Sequence, residues 1–165
     1  STLVLLSGPA STYVDGQFVG HGEVPTVTTG EQFIVGLGIN SSLRARRELL
    51  SRQESVQGGN RSVEFTYRLS IENFSDARIP VRMIDRLPSG RDHEIKTTLV
   101  SSDAKETQDP SFLKADRKKG MLRWDVDVPP RSVGLEAFGF NYRSRLEFDK
   151  GMTITSVLAV ASAAP

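Results

Sequence analysis

The sequence predicts an all-β protein, an antiparallel, immunoglobulin-like β-sandwich with a smaller N-terminal β unit that shares a long strand with it. Three observations support this class. Runs of alternating apolar and polar residues recur along the 165 residues, turn signals separate these runs, and helical spacing is confined to one ambiguous segment. The chain is long enough to bury a core of its own.

Charge and composition make several function classes improbable. The 21 basic and 20 acidic residues leave a net charge of +1, so no overall field attracts nucleic acid or an anionic membrane. The absence of cysteine removes disulfides, thiolate nucleophiles and cysteine zinc sites. The longest apolar run, Val157 to Ala161, is too short to cross a bilayer. We therefore expect no nucleic-acid partner and no membrane span.

The uneven distribution of charge indicates two structural units. All 21 basic residues fall in 44–165, and none in 1–43. We predict an N-terminal β unit over 1–56, the immunoglobulin-like sandwich over 61–148, and a C-terminal tail over 149–165. Because the chain starts at Ser1 without a methionine, we expect it to be processed or part of a larger protein.

The first unit carries a hairpin signal. Asp15-Gly16 stands between two runs of β-prone residues. A tight primed turn needs positive φ at both central positions, and Asp-Gly supplies this conformation at little cost. We expect a β-hairpin there.

The segment from 41 to 56 has conflicting periodicities. Leu43, Arg46 and Leu50 have helical spacing after a Ser-Ser cap, whereas Leu43, Ala45 and Leu49 have strand spacing. Composition alone favours a short helix.

Beyond residue 60 the strand signal is clear. In 63–72 the apolar residues alternate strictly with polar ones, and those on one face are Val63, Phe65, Tyr67, Leu69 and Ile71. The stretches IPVRMIDRLP and EIKTTLV predict two further strands. Residues 101–119 are polar and predict a long exposed loop.

The last third of the chain predicts two more strands. In GMLRWDVDVPP, Leu122, Trp124 and Val126 alternate with charged residues, so we expect Trp124 in the core. In VGLEAFGFNYRSRLEF the apolar phase changes between Glu136 and Phe138. This change predicts either a twist between two cores or a β-bulge.

Several motifs together resemble a known family. GPASTYVDGQFVGHGEVP, RARRELL, VEFTYRLSIENF, IDRLPSGRDHEIK and GMLRWDVDVPP follow one another along nearly the whole chain. In this order they resemble the C-terminal domain of the mucoidy-inhibitor-A-like bacterial proteins, a family of unknown function.

The resemblance implies a β-rich C-terminal module, usually preceded by an N-terminal domain and a coiled coil. The family is linked by name to exopolysaccharide-dependent colony form, which implies the bacterial envelope or periplasm. The resemblance supplies no catalytic residue, and it favours a strand over a helix for 43–55.

The two histidines give little support to an enzyme. His93 lies between Asp92 and Glu94, but neighbouring residues of a strand point to opposite faces, so a solvated turn is the simpler interpretation. His21 lies between two glycines and is interpreted as a surface imidazole. The chain lacks the Gly-x-Ser-x-Gly elbow of hydrolases. We predict no catalytic residue, no metal site and no cofactor; a hydrolytic or metal-dependent enzyme domain is the alternative.

Arginines in 44–52 are the predicted binding residues. If this segment is a strand, Arg44, Arg46 and Arg52 project from one face and suit carboxylates or acidic sugars. The competing interpretation is an edge strand charged against aggregation. A second basic cluster, 114–119, is interpreted as part of the solvated loop.

These observations predict a non-catalytic interaction module of a bacterial cell-envelope protein. Its partner would be a protein, with its own N-terminal region among the candidates, or an acidic polysaccharide. A purely structural role, including formation of a homodimer, is the further alternative.

Overall fold

The structure, a computed structural model, describes residues 4–14, 16–57, 59–88, 95–149 and 151. The chain divides into two compact units, Ser1–Ser41 and Ser42–Pro165. Most of the regular structure in the described residues is antiparallel β-strand.

The first unit contains a β-hairpin. Strands β1 (Gly8–Val14) and β2 (Gln17–Val24) pair antiparallel, with their adjoining ends opposite each other. Gly16 has φ 78°, a conformation that glycine adopts readily. Asp15 of the predicted turn lies outside the described residues. Val27 is the one large apolar residue that is buried among those described in this unit.

The second unit is a β-sandwich, so the predicted all-β class is confirmed. One sheet has four strands in the order β3-β4-β8-β6, and a two-stranded sheet, β5-β7, packs on it. All pairings are antiparallel. The strands are β3 (Leu43–Gln57), β4 (Asn60–Asn73), β5 (Ile79–Arg86), β6 (Lys96–Ser102), β7 (Met121–Val128) and β8 (Phe138–Asp149).

The ambiguous segment is a strand. β3 is 15 residues long and pairs with β4 from Leu43 to Gln57, so the helix favoured by composition is wrong. The sequence prediction extended the first unit to residue 56, whereas the compact unit ends at Ser41. β3 lies in the second unit because its ladder of hydrogen bonds runs to β4.

The core lies between the two sheets. All five apolar residues predicted to share one face of β4 are buried: Val63, Phe65, Tyr67, Leu69 and Ile71. Trp124 of β7 is 0% exposed, as predicted, and its ring centroid lies 5.1 Å from that of Phe140 on β8. Strict alternation with one wet face therefore identified the core correctly.

The prediction that residues 101–119 form an exposed loop is wrong for the middle and the end of this range. A short helix, α1 (Pro110–Ala115), is followed by a 3-10 turn (Arg117–Lys119). The carboxylate of Asp109 caps α1 by accepting from the Ser111 N–H at 2.9 Å, and the helix buries Phe112. One apolar anchor holds this otherwise polar segment in place.

The change in the apolar phase before β8 comes from neither a twist between two cores nor a β-bulge. A 3-10 turn (Gly134–Glu136) precedes the strand, which begins only at Phe138. Leu135, within the turn, is fully exposed. The residues before 138 therefore follow the geometry of a turn, and neither a twist nor a bulge in the strand explains their phase.

Candidate functional site

The outer face of the four-stranded sheet carries two of the predicted binding residues. Arg44 lies opposite Glu72, and Arg46 lies opposite Ser70, on the face of β4 that points away from the core. Directly opposed residues of an antiparallel pair project from the same face. Arg44 and Arg46 therefore share the solvent-facing side of this sheet.

Arg52 projects from the other face, so the prediction that all three arginines share one face is wrong. The register of β3 shifts at Leu50, which has no partner on β4. Arg52 consequently lies opposite Phe65, a core residue. A β-bulge adds one residue to a strand and reverses the alternation beyond it.

The inner-face position of Arg52 brings it to carboxylate neighbours. Its Nη2 lies 3.4 Å from Oε2 of Glu54, and Glu54 also forms an ion pair with Arg61. Arg52 is thus part of a local charge cluster near the β3–β4 turn.

Three arginines cross the outer face of the sheet in a diagonal row. Arg46 on β3 lies opposite Ser70 of β4, which is two residues after Arg68 on the same strand. Arg143 on β8 lies opposite Thr66 of β4, which is two residues before Arg68. Diagonal neighbours in an antiparallel pair have Cα atoms about 7–8 Å apart. We name Arg46, Arg68 and Arg143 the arginine diagonal.

The arginine diagonal makes no ion pair within the described residues. Nε of Arg143 donates to Oγ of Ser101 at 3.0 Å. The guanidinium of Arg68 lies over Gly139, where a Cβ atom would be 3.3 Å from Nη2. Arg46 is exposed. Arg143 is also exposed, whereas Arg68 is half-buried and lies opposite Glu48 on β3, with which it forms no ion pair.

Neighbouring arginines on the same face are already engaged. Nη1 of Arg44 is 3.9 Å from Oε2 of Glu72, and its guanidinium lies 5.3 Å from the Phe74 ring centroid. Nε of Arg145 donates to Glu64 at 2.9 Å. Arg44, predicted as a binding residue, thus has an ion-pair partner at 3.9 Å, although its side chain is 62% exposed.

A partly buried polar cluster, in which Tyr142 is buried and the Arg47 side chain is 38% exposed, joins the two sheets beneath this face. Nε of Arg47 donates to Oδ2 of Asp85 at 2.8 Å, and its Nη2 donates to the Tyr142 hydroxyl at 3.2 Å. The Arg47 guanidinium lies 3.7 Å from the Tyr67 ring centroid. Burial, and after it the hydrogen bond to Asp85, raises the pKa of Tyr142. This cluster is structural, since its residues come from four strands of the two sheets.

The sequence contained a partial signal for the diagonal. Arg68 belongs to the polar face of the clearest predicted strand, and Arg143 to the predicted strand near the C-terminus. Their proximity to Arg46 depends on the pairing β3-β4-β8, which connects residues about a hundred positions apart. The clustering therefore required the sheet topology.

His21 is the one histidine within the residues that the structure describes. Nδ1 of His21 lies 3.2 Å from Oγ of Ser11 on the neighbouring strand, and both residues are exposed. No carboxylate among the described residues hydrogen-bonds to His21, so this pair lacks an orienting acid. Asp92, His93 and Glu94 lie outside the described residues.

In the part of the chain that the structure describes, no three His, Asp or Glu side chains are grouped so that they could hold a metal ion. No helix in it has the length and apolarity needed to cross a membrane.

Comparison with protein families shows which family the chain belongs to. A family model described as Domain of unknown function (DUF4139) matches residues 7–143. The chain belongs to this family. No curated protein and no solved structure matches it. The range matched to DUF4139 includes the β1–β2 hairpin and all three residues of the arginine diagonal.

Proposed function

We propose that this DUF4139 chain is a non-catalytic interaction module that recognises the carboxylate groups of an acidic partner through the arginine diagonal. The observation that carries the proposal is the row of three arginines on the outer face of the sheet, none of which forms an ion pair in the described residues. Guanidinium groups form planar, bidentate pairs with carboxylates and are more weakly hydrated than lysine ammonium groups.

The shape of the surface favours an extended partner. Beside Arg46, the residues at the same level of the sheet are Ser70 and Gly139, and the absence of a side chain at Gly139 lets the Arg68 guanidinium lie over it. Steps of about 7–8 Å between the arginines suit a chain that presents acidic groups repeatedly. An acidic polysaccharide, or a protein segment rich in Asp and Glu, has this property.

The resemblance to mucoidy-inhibitor-A-like proteins supports the polysaccharide as the ligand and the bacterial envelope as the location. That family is linked by name to exopolysaccharide. A protein ligand, including the protein's own N-terminal region, is the second form of the same proposal.

A structural role is the second candidate function, and β3 favours it. β3 is a long edge strand that has one neighbour in its sheet, and Leu50 and Val56 on it are more than half exposed. Such an edge can add a strand from another chain. Light scattering coupled to size exclusion would show a dimer if strand addition were the function.

The decisive experiment replaces two residues of the diagonal. Arg46→Glu with Arg143→Glu reverses two charges on the outer face, while Arg68 remains because it packs over Gly139. Lys114→Glu with Lys118→Glu is the matched control, because both residues are exposed, lie away from the four-stranded sheet and form no ion pair with another described residue. Exposed substitutions usually change stability by within about 0.5 kcal/mol each.

Titration calorimetry with polygalacturonate and with polyglutamate measures the effect. We expect the diagonal variant to bind at least about tenfold more weakly and to lose most of its dependence on salt. The control variant should bind like the unmodified chain. Unchanged affinity in a folded diagonal variant, or an equal loss in the control, contradicts the proposal.

A further inference from the structure

A cleft of about 400 Å³ lies on the outer face of the two-stranded sheet, on the side of the sandwich opposite the arginine diagonal. Its floor comes from β5 and β7, and its wall from α1 and the 3-10 turn that follows. The lining combines an apolar group, Ile84, Phe112 and Met121, with four cations, Arg82, Arg86, Lys119 and Arg123.

Arg123 holds the wall of the cleft in a fixed position. Its side chain is only 11% exposed, and it pairs with Asp109 and Asp125, each at 2.9 Å. Its guanidinium also lies 5.7 Å from the ring centroid of Phe112. Arg82 pairs with Asp125 at 2.9 Å. Arg123 therefore positions the cleft and is not free for a ligand, whereas Arg82 is 51% exposed and shares Asp125 with it.

Arg86 and Lys119 are the available cations. Arg86 is exposed and forms no ion pair with another described residue. Nζ of Lys119 lies 3.2 Å from Oδ1 of Asp116 in an exposed i,i+3 pair, which a ligand can replace at little cost. Arg86 and Lys119 immediately precede Leu87 and Gly120 in the sequence. These two residues are joined by a backbone hydrogen bond, in which the Leu87 N–H donates to the Gly120 carbonyl at 2.8 Å.

The apolar part of the cleft is open to solvent. Ile84 is 57% exposed and lies beside Met121, which is half-buried. A ligand that covers such a side chain removes apolar area from water, which favours binding by about 25 cal/mol per Å² of buried area. The cleft therefore offers a ligand both a charged end and an apolar floor.

The charge balance limits the ligand to a low charge. The four cations of the lining face three carboxylates, namely Asp116 in the lining and Asp109 and Asp125 behind it. The surplus of one positive charge suits a monoanion. A phosphate monoester dianion would leave one negative charge uncompensated beside Asp116.

We propose that this cleft binds a small organic carboxylate with an apolar body. The carboxylate pairs with Arg86 and Lys119, and the body covers Ile84 and Met121. The site is independent of the arginine diagonal, because it lies on the other sheet and requires a compact ligand.

The test is a titration of the isotopically labelled chain, followed by amide chemical shifts, with hexanoate and with its uncharged analogue hexanamide. We expect hexanoate to shift the amides of Ile84, Arg86 and Met121, and hexanamide to bind at least about tenfold more weakly. Shifts scattered over the whole chain, or equal binding of the amide, overturn the proposal.

Variants identify the groups involved. Arg86→Gln with Lys119→Gln should weaken hexanoate binding about tenfold. Lys114→Gln with Lys118→Gln removes the same charge from exposed residues outside the lining and should leave binding unchanged. Ile84→Ser should weaken hexanoate binding several-fold through the lost apolar contact.

An equal loss in the lysine control pair overturns the site. The diagonal variant, Arg46→Glu with Arg143→Glu, separates the two proposals. It should bind hexanoate normally even when it no longer binds polygalacturonate.

Discussion

The hydroxyl of Tyr142 donates to Oδ2 of Asp85 at 2.6 Å, across the interface between the two sheets. The same oxygen accepts Nε of Arg47 at 2.8 Å. Asp85 lies on β5, whereas Tyr142 and Arg47 lie on the four-stranded sheet. This carboxylate is therefore a charged link between the layers of the sandwich, and short O–H···O⁻ bonds are among the stronger hydrogen bonds of proteins.

Removing the Tyr142 hydroxyl should destabilise the fold. Tyr142→Phe keeps the ring, which stacks 5.4 Å from Tyr67, and deletes one hydrogen bond to a charged group. We expect the free energy of unfolding in urea to fall by about 1.5–3 kcal/mol. Tyr67→Phe is the control, because its hydroxyl makes no hydrogen bond within the described residues. Equal losses in the two variants would contradict the role of the link.

Trp124 should report and support the core. It is the single tryptophan of the chain, and its Nε1–H donates to Oγ of Ser102 at 3.0 Å. We expect native emission to be blue-shifted and poorly quenched by iodide, because the indole is fully buried. Trp124→Ala should lower the free energy of unfolding by about 3–5 kcal/mol. Ser102→Ala should lower it by only about 1 kcal/mol. Red-shifted, readily quenched emission would show that the core assignment is wrong.

Asn73 should be intolerant of substitution, because its buried amide joins three segments. Nδ2 donates to the carbonyls of Ala77 and Pro129 at 2.8 and 2.9 Å, while Oδ1 accepts from the Ser75 N–H. Asn73→Leu leaves these groups without partners and should lower the free energy of unfolding by about 2–4 kcal/mol. Asn73→Asp should cost more, since a carboxylate would face two carbonyl oxygens. A loss below about 0.5 kcal/mol in either variant would contradict this prediction.

Hydrogen exchange should distinguish α1 from a loop. The N–H of Leu113 donates to the Asp109 carbonyl at 3.0 Å, and that of Asp116 donates to Phe112 at 2.9 Å. Because Phe112 is buried, we expect measurable protection of these two amides, weaker than that of 63–73 in β4. If the amides of Leu113 and Asp116 exchange as fast as in an unfolded peptide, the segment is a loop, as the sequence predicted, and not a helix.

What the sequence predicted well is what alternation encodes directly. β4 has one wet and one buried face, so a period of two identified Tyr67 and its neighbours as core. The same argument placed Trp124. Both inferences needed only local sequence, because burial follows from the pattern of one strand.

What it could not predict depends on single residues and on pairing. The bulge at Leu50 leaves no trace in composition, yet it moves Arg52 to the other face of the sheet. The diagonal joins Arg46, Arg68 and Arg143 through the order of strands. Six residues of α1 are too few for a helical period, although Asp109-Pro110 is a recognisable cap and first position.

The carboxylate of Asp109 should titrate well below the usual range. Hydrogen bonds from the Ser111 hydroxyl at 2.6 Å and from Arg123 at 2.9 Å lower the pKa of Asp109 to about 2. The ordinary value for Asp is about 3.9. Carboxyl carbon chemical shifts should therefore give a midpoint near the lower value, and Ser111→Ala should raise it.

The lowered pKa of Asp109 fixes the direction of the stability change. Above about pH 5 the carboxylate is ionised in both the folded and unfolded chains, so its full stabilisation is present. As the pH falls from about 4 to 2, the unfolded chain binds the proton first, and the stabilisation is lost.

Asp109→Asn keeps an acceptor for the helix cap but has no charge to lose. The difference in Tm between the unmodified chain and this variant should be constant above about pH 5 and shrink towards pH 2. A difference that stays constant down to pH 2, about the folded-state pKa of Asp109, would show that the ionised carboxylate does not stabilise α1 against β7.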